Sequence, residues 1–199
     1  MISDSPVEKE YGIMRCEIIG IDSSWREVAN SARTTIGLDR SDKKVSNRWK
    51  QRMMLCEHSP IRKMRVNWVW YDIPYWVSVH FVRHKFGIEH FVSTQRTDRT
   101  GVNRDDKSQN ALVRHECIAN LQAIINISRK RLCYQASEET RQAWMLFLNE
   151  LKKVDPVIYN ACVPECIYRG YCYEYETCNY YKSEEYKKRL DRHKELIVR

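Results

Sequence analysis

The stretch from Met64 to Tyr71 most constrains the fold. Its residues alternate, with Met64, Val66, Trp68 and Trp70 on one side and Arg65, Asn67, Val69 and Tyr71 on the other. A period of two is that of a strand with one buried face. The chain then changes character. An apolar run from Val66 to Val82 gives way to His80, Arg83, His84, Lys85, Glu89, His90, Arg96, Asp98 and Arg99. Burying charge is costly unless partners meet it. Residues 80–99 are therefore either a solvated basic face or a site that meets an anion or a polar ligand.

Local signals organise this centre. Asp72 reads as an N-cap with Pro74 in the first turn, so a helix is expected from about Ile73 to Lys85, ended by Gly87. On it His80, Arg83 and His84 fall on one side of the last turns. Glu89 to Arg99 reads as an ordered loop carrying Ser93, Gln95, Arg96 and Arg99. Hydroxyl, amide and guanidinium donors after a packed helix suit a phosphate or another planar anion.

The flanks read more simply. Residues 1–12 look like a loose lead, and Ile13 to Ile21 like a first strand. Ser23 or Ser24 caps a helix to about Thr35, and a second helix spans Val45 to Cys56. Residues 100–110 read as a loop. A long helix is expected from Ala111 to Tyr134, with Ile118, Leu121, Ile125 and Leu132 as its buried stripe. Ser137 caps a further helix over 138–153, which Asp155-Pro156 stops. Ser183 to Arg199 reads as a charged helix with a thin stripe of Tyr186, Leu190 and Ile197.

A chain of 199 residues with 43% apolar composition supports one domain with a real core, here 1–160, and an appendage, 161–199. The net charge of +8 favours anionic partners. No apolar run reaches the roughly 18 residues of a membrane span. The first residues show no apolar signal region, so a cytoplasmic location is expected, and the eight cysteines are then thiols or metal ligands rather than disulfides. Four of them form Cys162-x3-Cys166-x5-Cys172-x5-Cys178 in a tyrosine-rich tail. Their number suits zinc or an iron–sulfur centre, but the spacing is not the Cys-x2-Cys pattern. Free or partly buried thiols are the plainer reading. His80-x3-His84 has a metal-binding spacing, yet no Glu follows His80 as a metalloprotease would require.

Several segments resemble one family. Arg83-His84-Lys85, seven residues, then Ser93 resembles the Arg-His-Arg, seven residues, Ser signature of the flavin-dependent thymidylate synthases. Ala32-Arg33-Thr34-Thr35 is similar to the family's early Ala-Arg-x-Ser/Thr. His58-Ser59-Pro60 resembles its His-x-Ser/Thr-Pro, and Arg131, four residues, Ala136-Ser137-Glu138-Glu139 its late Arg-x4-Ala-Gln-x-Glu. The resemblance covers roughly residues 15–155. It implies an α+β fold with a small antiparallel sheet and packed helices, to which the Cys-rich C-terminal segment is added. It implies an enzyme that reductively methylates dUMP to dTMP, with methylenetetrahydrofolate as carbon donor and NADPH reducing a bound FAD. It also implies a homotetramer with shared sites.

By the same resemblance Thr35, Ser59, Arg83, His84, Lys85, Asn120, Gln122 and Asn126 lie toward FAD. His80, Arg83, Ser93, Gln95, Arg96, Arg104 and Arg131 lie toward the nucleotide, with Arg99 second to Arg104. Arg131 matches the arginine that polarises the pyrimidine. A guanidinium there stabilises negative charge as a nucleophile adds to the ring. Flavin-free thymidylate synthases instead use a Cys within Pro-Cys-His. No Cys here is followed by His, although Cys133 lies near Arg131. The departures are Lys85 for an Arg, Phe91 for a Glu, Gln95 for an Arg and His80 for a Gln, with much of the segment between Ser93 and the late helix missing. Phe91 and Gln95 motivate a second reading, a modified or different pyrimidine nucleotide. A third, a basic nucleic-acid-binding protein with a cysteine metal knuckle, follows from charge and tail alone; the ordered motifs argue against nucleic acid.

Overall fold

The computed structural model describes residues 14–198. The expected lead, 1–12, and Ile13 lie outside them, as does the side chain of Ile197. The alternating stretch is a strand. It lies in an antiparallel sheet of β1 (Arg15–Asp22), β2 (Arg65–Pro74), β3 (Ile88–Val92) and β4 (Leu112–Asn120), in the order β1-β2-β4-β3. The helices are α1 (Trp25–Thr34), α2 (Asn47–Leu55), α3 (Tyr75–Phe81), the single turn α4 (Thr97–Thr100), α5 (Leu121–Arg131), α6 (Glu138–Val154), α7 (Pro156–Ala161), α8 (Glu165–Arg169) and α9 (Glu184–Val198). The fold is α+β, with a small antiparallel sheet and packed helices. None of the helices among the described residues is long and apolar enough to cross a membrane.

The inward face of β2 carries Val66, Trp68 and Trp70, all fully buried. Trp68 packs on Phe147 of α6 at 4.2 Å between ring centroids, and Trp70 stacks on Phe81 of α3 at 4.6 Å. Two of the indole N–H groups are met: Trp70 Nε1 donates to the Ala143 carbonyl at 2.9 Å, and Trp144 Nε1 to Ser128 Oγ at 2.9 Å, whereas Trp68 Nε1 is buried without a partner. Each such ring stabilises the fold by on the order of 1.5–3 kcal/mol through burial. This cluster sets the relative positions of the sheet, α3 and α6.

Four expectations need correction. The helix expected from Ala111 is a strand to Asn120 and a helix only from Leu121. Val113, His115, Cys117 and Ala119 alternate and are buried, and pairing with both β2 and β3 overrides the helical spacing of Ile118, Leu121 and Ile125. The loop expected from Glu89 contains β3. Asp72 is not an N-cap. It has φ +57° at a register shift between β2 and β4, and Pro74 ends the strand and caps α3. That helix closes at Phe81 rather than Lys85, and Gly87, at φ +74°, turns the chain into β3 instead.

Asp155 ends α6 and also starts α7, accepting from the Val157 and Ile158 amides at 3.0 and 3.3 Å. Its other oxygen accepts from Trp25 Nε1 at 2.6 Å, tying α1 to this corner. Beyond α7, Val163, Ile167 and Tyr186 form a second, smaller apolar cluster.

Candidate functional site

Arg131, the last residue of α5, points onto the segment that follows α3. Its Nε donates to His84 Nε2 at 2.9 Å and its Nη2 to the His80 carbonyl at 2.6 Å. Accepting at Nε2 leaves the proton of His84 on Nδ1. Burial, then the charge of Arg131, then His90, hold His84 down to about 4, so at neutral pH it is an uncharged acceptor. The His80 ring turns the other way, its Nδ1 2.9 Å from Thr140 Oγ1, which in turn lies 2.7 Å from Ser137 Oγ. Burial and then Arg131 and Arg83 lower the pKa of His80. Burial and then Arg83 lower that of Arg131. Two motifs 47 residues apart thus meet: His80, Arg83, His84 and Arg131 form one polar group whose charge is on the two arginines. Arg83 and Lys85 are exposed, and neither pairs with a carboxylate among the described residues.

Behind this group lies a hydrogen-bonded chain through the sheet. Ser78 Oγ is 3.0 Å from His115 Nδ1, His115 Nε2 is 3.0 Å from His90 Nδ1, and His90 Nε2 is 2.9 Å from the His84 carbonyl. A carbonyl only accepts, so with neutral rings the chain runs one way, from the Ser78 hydroxyl to His84. Cys117 Sγ lies 3.3 Å from both inner ring nitrogens. The ligand atoms of His90, His115 and Cys117 are within 4.8 Å of one another, a metal-like grouping. Every ring nitrogen already has a partner, so the group is complete as a positioning network for His84. Burial and then His90 push His115 down to about 3, which keeps it neutral.

The expected nucleotide residues do not all converge. Ser93 continues the pairing of β3 with β4: its N–H donates to the Arg114 carbonyl at 2.8 Å, and its Oγ accepts from the Arg114 N–H at 3.0 Å. It lines a shallow groove of about 620 Å³ with Arg15, Tyr71 and Arg114. Both arginines lie over the Tyr71 ring, at 3.9 and 5.1 Å. Gln95 Nε2 is buried with no hydrogen-bond partner. Arg96 is held by Asp98 through two bonds, of 3.0 and 2.8 Å. Arg104 and Arg99 are exposed, and the Arg104 N–H donates to Thr97 Oγ1 at 3.1 Å.

The expected cofactor residues also divide. Asn120 caps α5, accepting from the Ala123 N–H at 2.9 Å. Gln122 and Asn126 join Glu57 and Arg129 in one polar network, with Glu57 and Arg129 in close ion pairing. Thr35 is exposed at the end of α1 and bonds back to the Ala32 carbonyl at 2.7 Å. Ser59 is exposed and opens a 3₁₀ turn over Ser59–Lys63.

Of the four tail cysteines, Cys162 stands apart. It is buried in the main core and donates to the Ile158 carbonyl at 3.3 Å. Cys166, Cys172 and Cys178 line one cavity, and Cys133 takes the fourth place. Sequence reasoning missed Thr140, His115 and Arg114 as well. The signal for His115 was the alternation of Val113, His115, Cys117 and Ala119, which competes with a helical spacing over the same residues.

No protein-family model matches the chain, and no curated protein matches it in sequence. Among solved structures, its fold is similar to that of the UMP/dUMP methylase PolB from Streptomyces cacaoi bound with 5-Br dUMP. The TM-score is 0.59 at 13% identity, and the match covers 74% of this chain and 94% of that one. At that identity the likeness is one of fold.

Proposed function

We propose that this chain is a flavin-dependent enzyme that methylates a uridine-type nucleotide: reductive methylation of dUMP to dTMP, with methylenetetrahydrofolate as carbon donor and NADPH as reductant. The observation that carries this reading is the docking of Arg131 on His84 and the His80 carbonyl. The fixed guanidinium keeps one terminal nitrogen, Nη1, without a hydrogen-bond partner among the described residues, and that edge suits a pyrimidine carbonyl. A positioned cation there stabilises the charge that develops as C6 is attacked. The solved methylase that shares the fold adds support, since it acts on UMP and dUMP.

The donor set fits an anionic dinucleotide. Arg83 is an exposed cation close enough for its charge to act on Arg131, Lys85 is exposed two residues further on, and the buried Gln95 Nε2 lacks a partner. When bound, FAD would supply the hydride that this chemistry needs. Arg83, His84 and Lys85 are the residues we assign to holding it. Asn120, Gln122 and Asn126 are committed to a helix cap and to the Glu57–Arg129 network, so we assign them to shaping the site. Ser93, Arg15 and Arg114 form a second cationic group, apart from Arg131. A homotetramer with shared sites would join the two, and the exposed Ile19 and Phe91 on the outer sheet face support such an assembly.

A substrate other than dUMP is favoured by one observation: Gln95 stands where the resembling family has an arginine, and Arg96 is already paired with Asp98. The test is product analysis. Protein, FAD, NADPH and methylenetetrahydrofolate are incubated with dUMP or UMP. Formation of dTMP supports the first reading, methylation of UMP alone supports the second, and no methylated nucleotide from either contradicts both.

A further inference from the structure

Cys133, Cys166, Cys172 and Cys178 line one small pocket. They arrive from three places: the turn after α5, the short helix α8 and the loop that follows it. All four face the same pocket, so the four sulfurs share one neighbourhood. None is in a disulfide. The rest of the lining includes Leu132, Pro164, Tyr180 and Tyr181, and no lysine or arginine. Four thiols brought from separate segments to one pocket gain little from one another without a shared ligand.

The spacing narrows the ligand. Four thiolates on a single zinc stand about 3.8 Å apart, the edge of a tetrahedron with Zn–S of about 2.3 Å. No three of these sulfurs lie within 4.8 Å of one another; among the described residues that distance gathers only His90, His115 and Cys117. Four cysteines on one pocket, spaced more widely than a single zinc needs, suit a polynuclear centre. We propose that this cavity holds an iron–sulfur cluster ligated by Cys133, Cys166, Cys172 and Cys178.

Ligation releases the four thiol protons and forms four Fe–S bonds, with iron and sulfide supplied from outside. The cluster ties α8 and the loop after it to the end of α5. Cys133 lies two residues beyond Arg131, so the same centre fixes the turn from which Arg131 projects. The assignment stands whether or not the chain methylates a nucleotide.

The full chain, purified without oxygen and reconstituted with ferrous iron and sulfide, is assayed for iron, acid-labile sulfide and zinc. Direct counting separates a cluster from a flavin, which also absorbs visible light. The expected result is iron and sulfide in equal amounts. Both should be lost in Cys133→Ser and in Cys178→Ser, whose exposed position keeps folding out of the question, and retained in Cys56→Ser, an exposed cysteine elsewhere. Iron and sulfide no higher than in Cys178→Ser would overturn the proposal. So would one tightly held zinc per chain in place of iron.

Discussion

Arg131 and His84 are matched to each other by protonation as well as by distance. The arginine donates and the neutral ring accepts, at 2.9 Å. Protonating His84 puts two cations in contact and breaks the bond. His84 and His115 both bind a proton more weakly in the folded chain than at the ordinary value of 6.5. Stability is therefore full above about pH 6.5 and is lost as pH falls toward about 4 for His84 and about 3 for His115. Urea melts at pH 7, 6 and 5 should show a steady fall, and His115→Gln should flatten part of it. Arg131→Lys keeps the charge and loses the planar fork. We expect turnover to drop by about 10²–10³, the usual effect of removing a positioned donor, together with weaker nucleotide binding. Unchanged kcat would remove Arg131 from the chemistry. Arg131, His80 and His84 were legible as motif residues. Thr140 and His115 were not, because what they touch lies 60 and 25 residues away.

The element that presents the site is the turn between α3 and β3. Gly87 holds it at φ +74°, its carbonyl accepts from the Asn120 N–H at 2.9 Å, and an added Cβ would meet Asn120 Nδ2 at 2.5 Å. Gly87→Ala therefore strains the backbone and displaces the residue that caps α5. A loss of about 1–3 kcal/mol is expected in chemical denaturation, and a neutral result would show that this turn relaxes freely. β2 could be read from sequence because tryptophans alternate with polar residues over one continuous stretch. β4 could not. It feeds straight into α5 at Asn120, so Ile118, Leu121 and Ile125 look like one helical stripe across the junction. Strand partners that lie distant in sequence decide such a segment, and a local reading does not contain them.

On the scale of the molecule, the helices lean on one face of the sheet while the other carries Arg15, Glu17, Arg114, Glu116 and the exposed Ile19 and Phe91. Phe86, in the turn of the central motif, is 92% exposed. If copies share their sites as proposed, light scattering should give a mass above that of one chain, and Phe91→Glu should lower both that mass and turnover. A monomer with full activity would contradict shared sites. The class of fold was legible from strand alternation and helical stripes taken together with the ordered motifs. The relation between the Ser93 groove and Arg131 was not, since it depends on how distant segments are placed.

The most direct test of the central claim is the absorbance spectrum of the FAD-loaded protein during a dUMP titration. The account predicts a bound-flavin spectrum that shifts saturably with dUMP in the wild type, and far less in Arg131→Lys. Retained flavin whose spectrum is indifferent to dUMP and UMP alike would contradict the claim that Arg131 and the 80–85 segment bring a nucleotide against the cofactor.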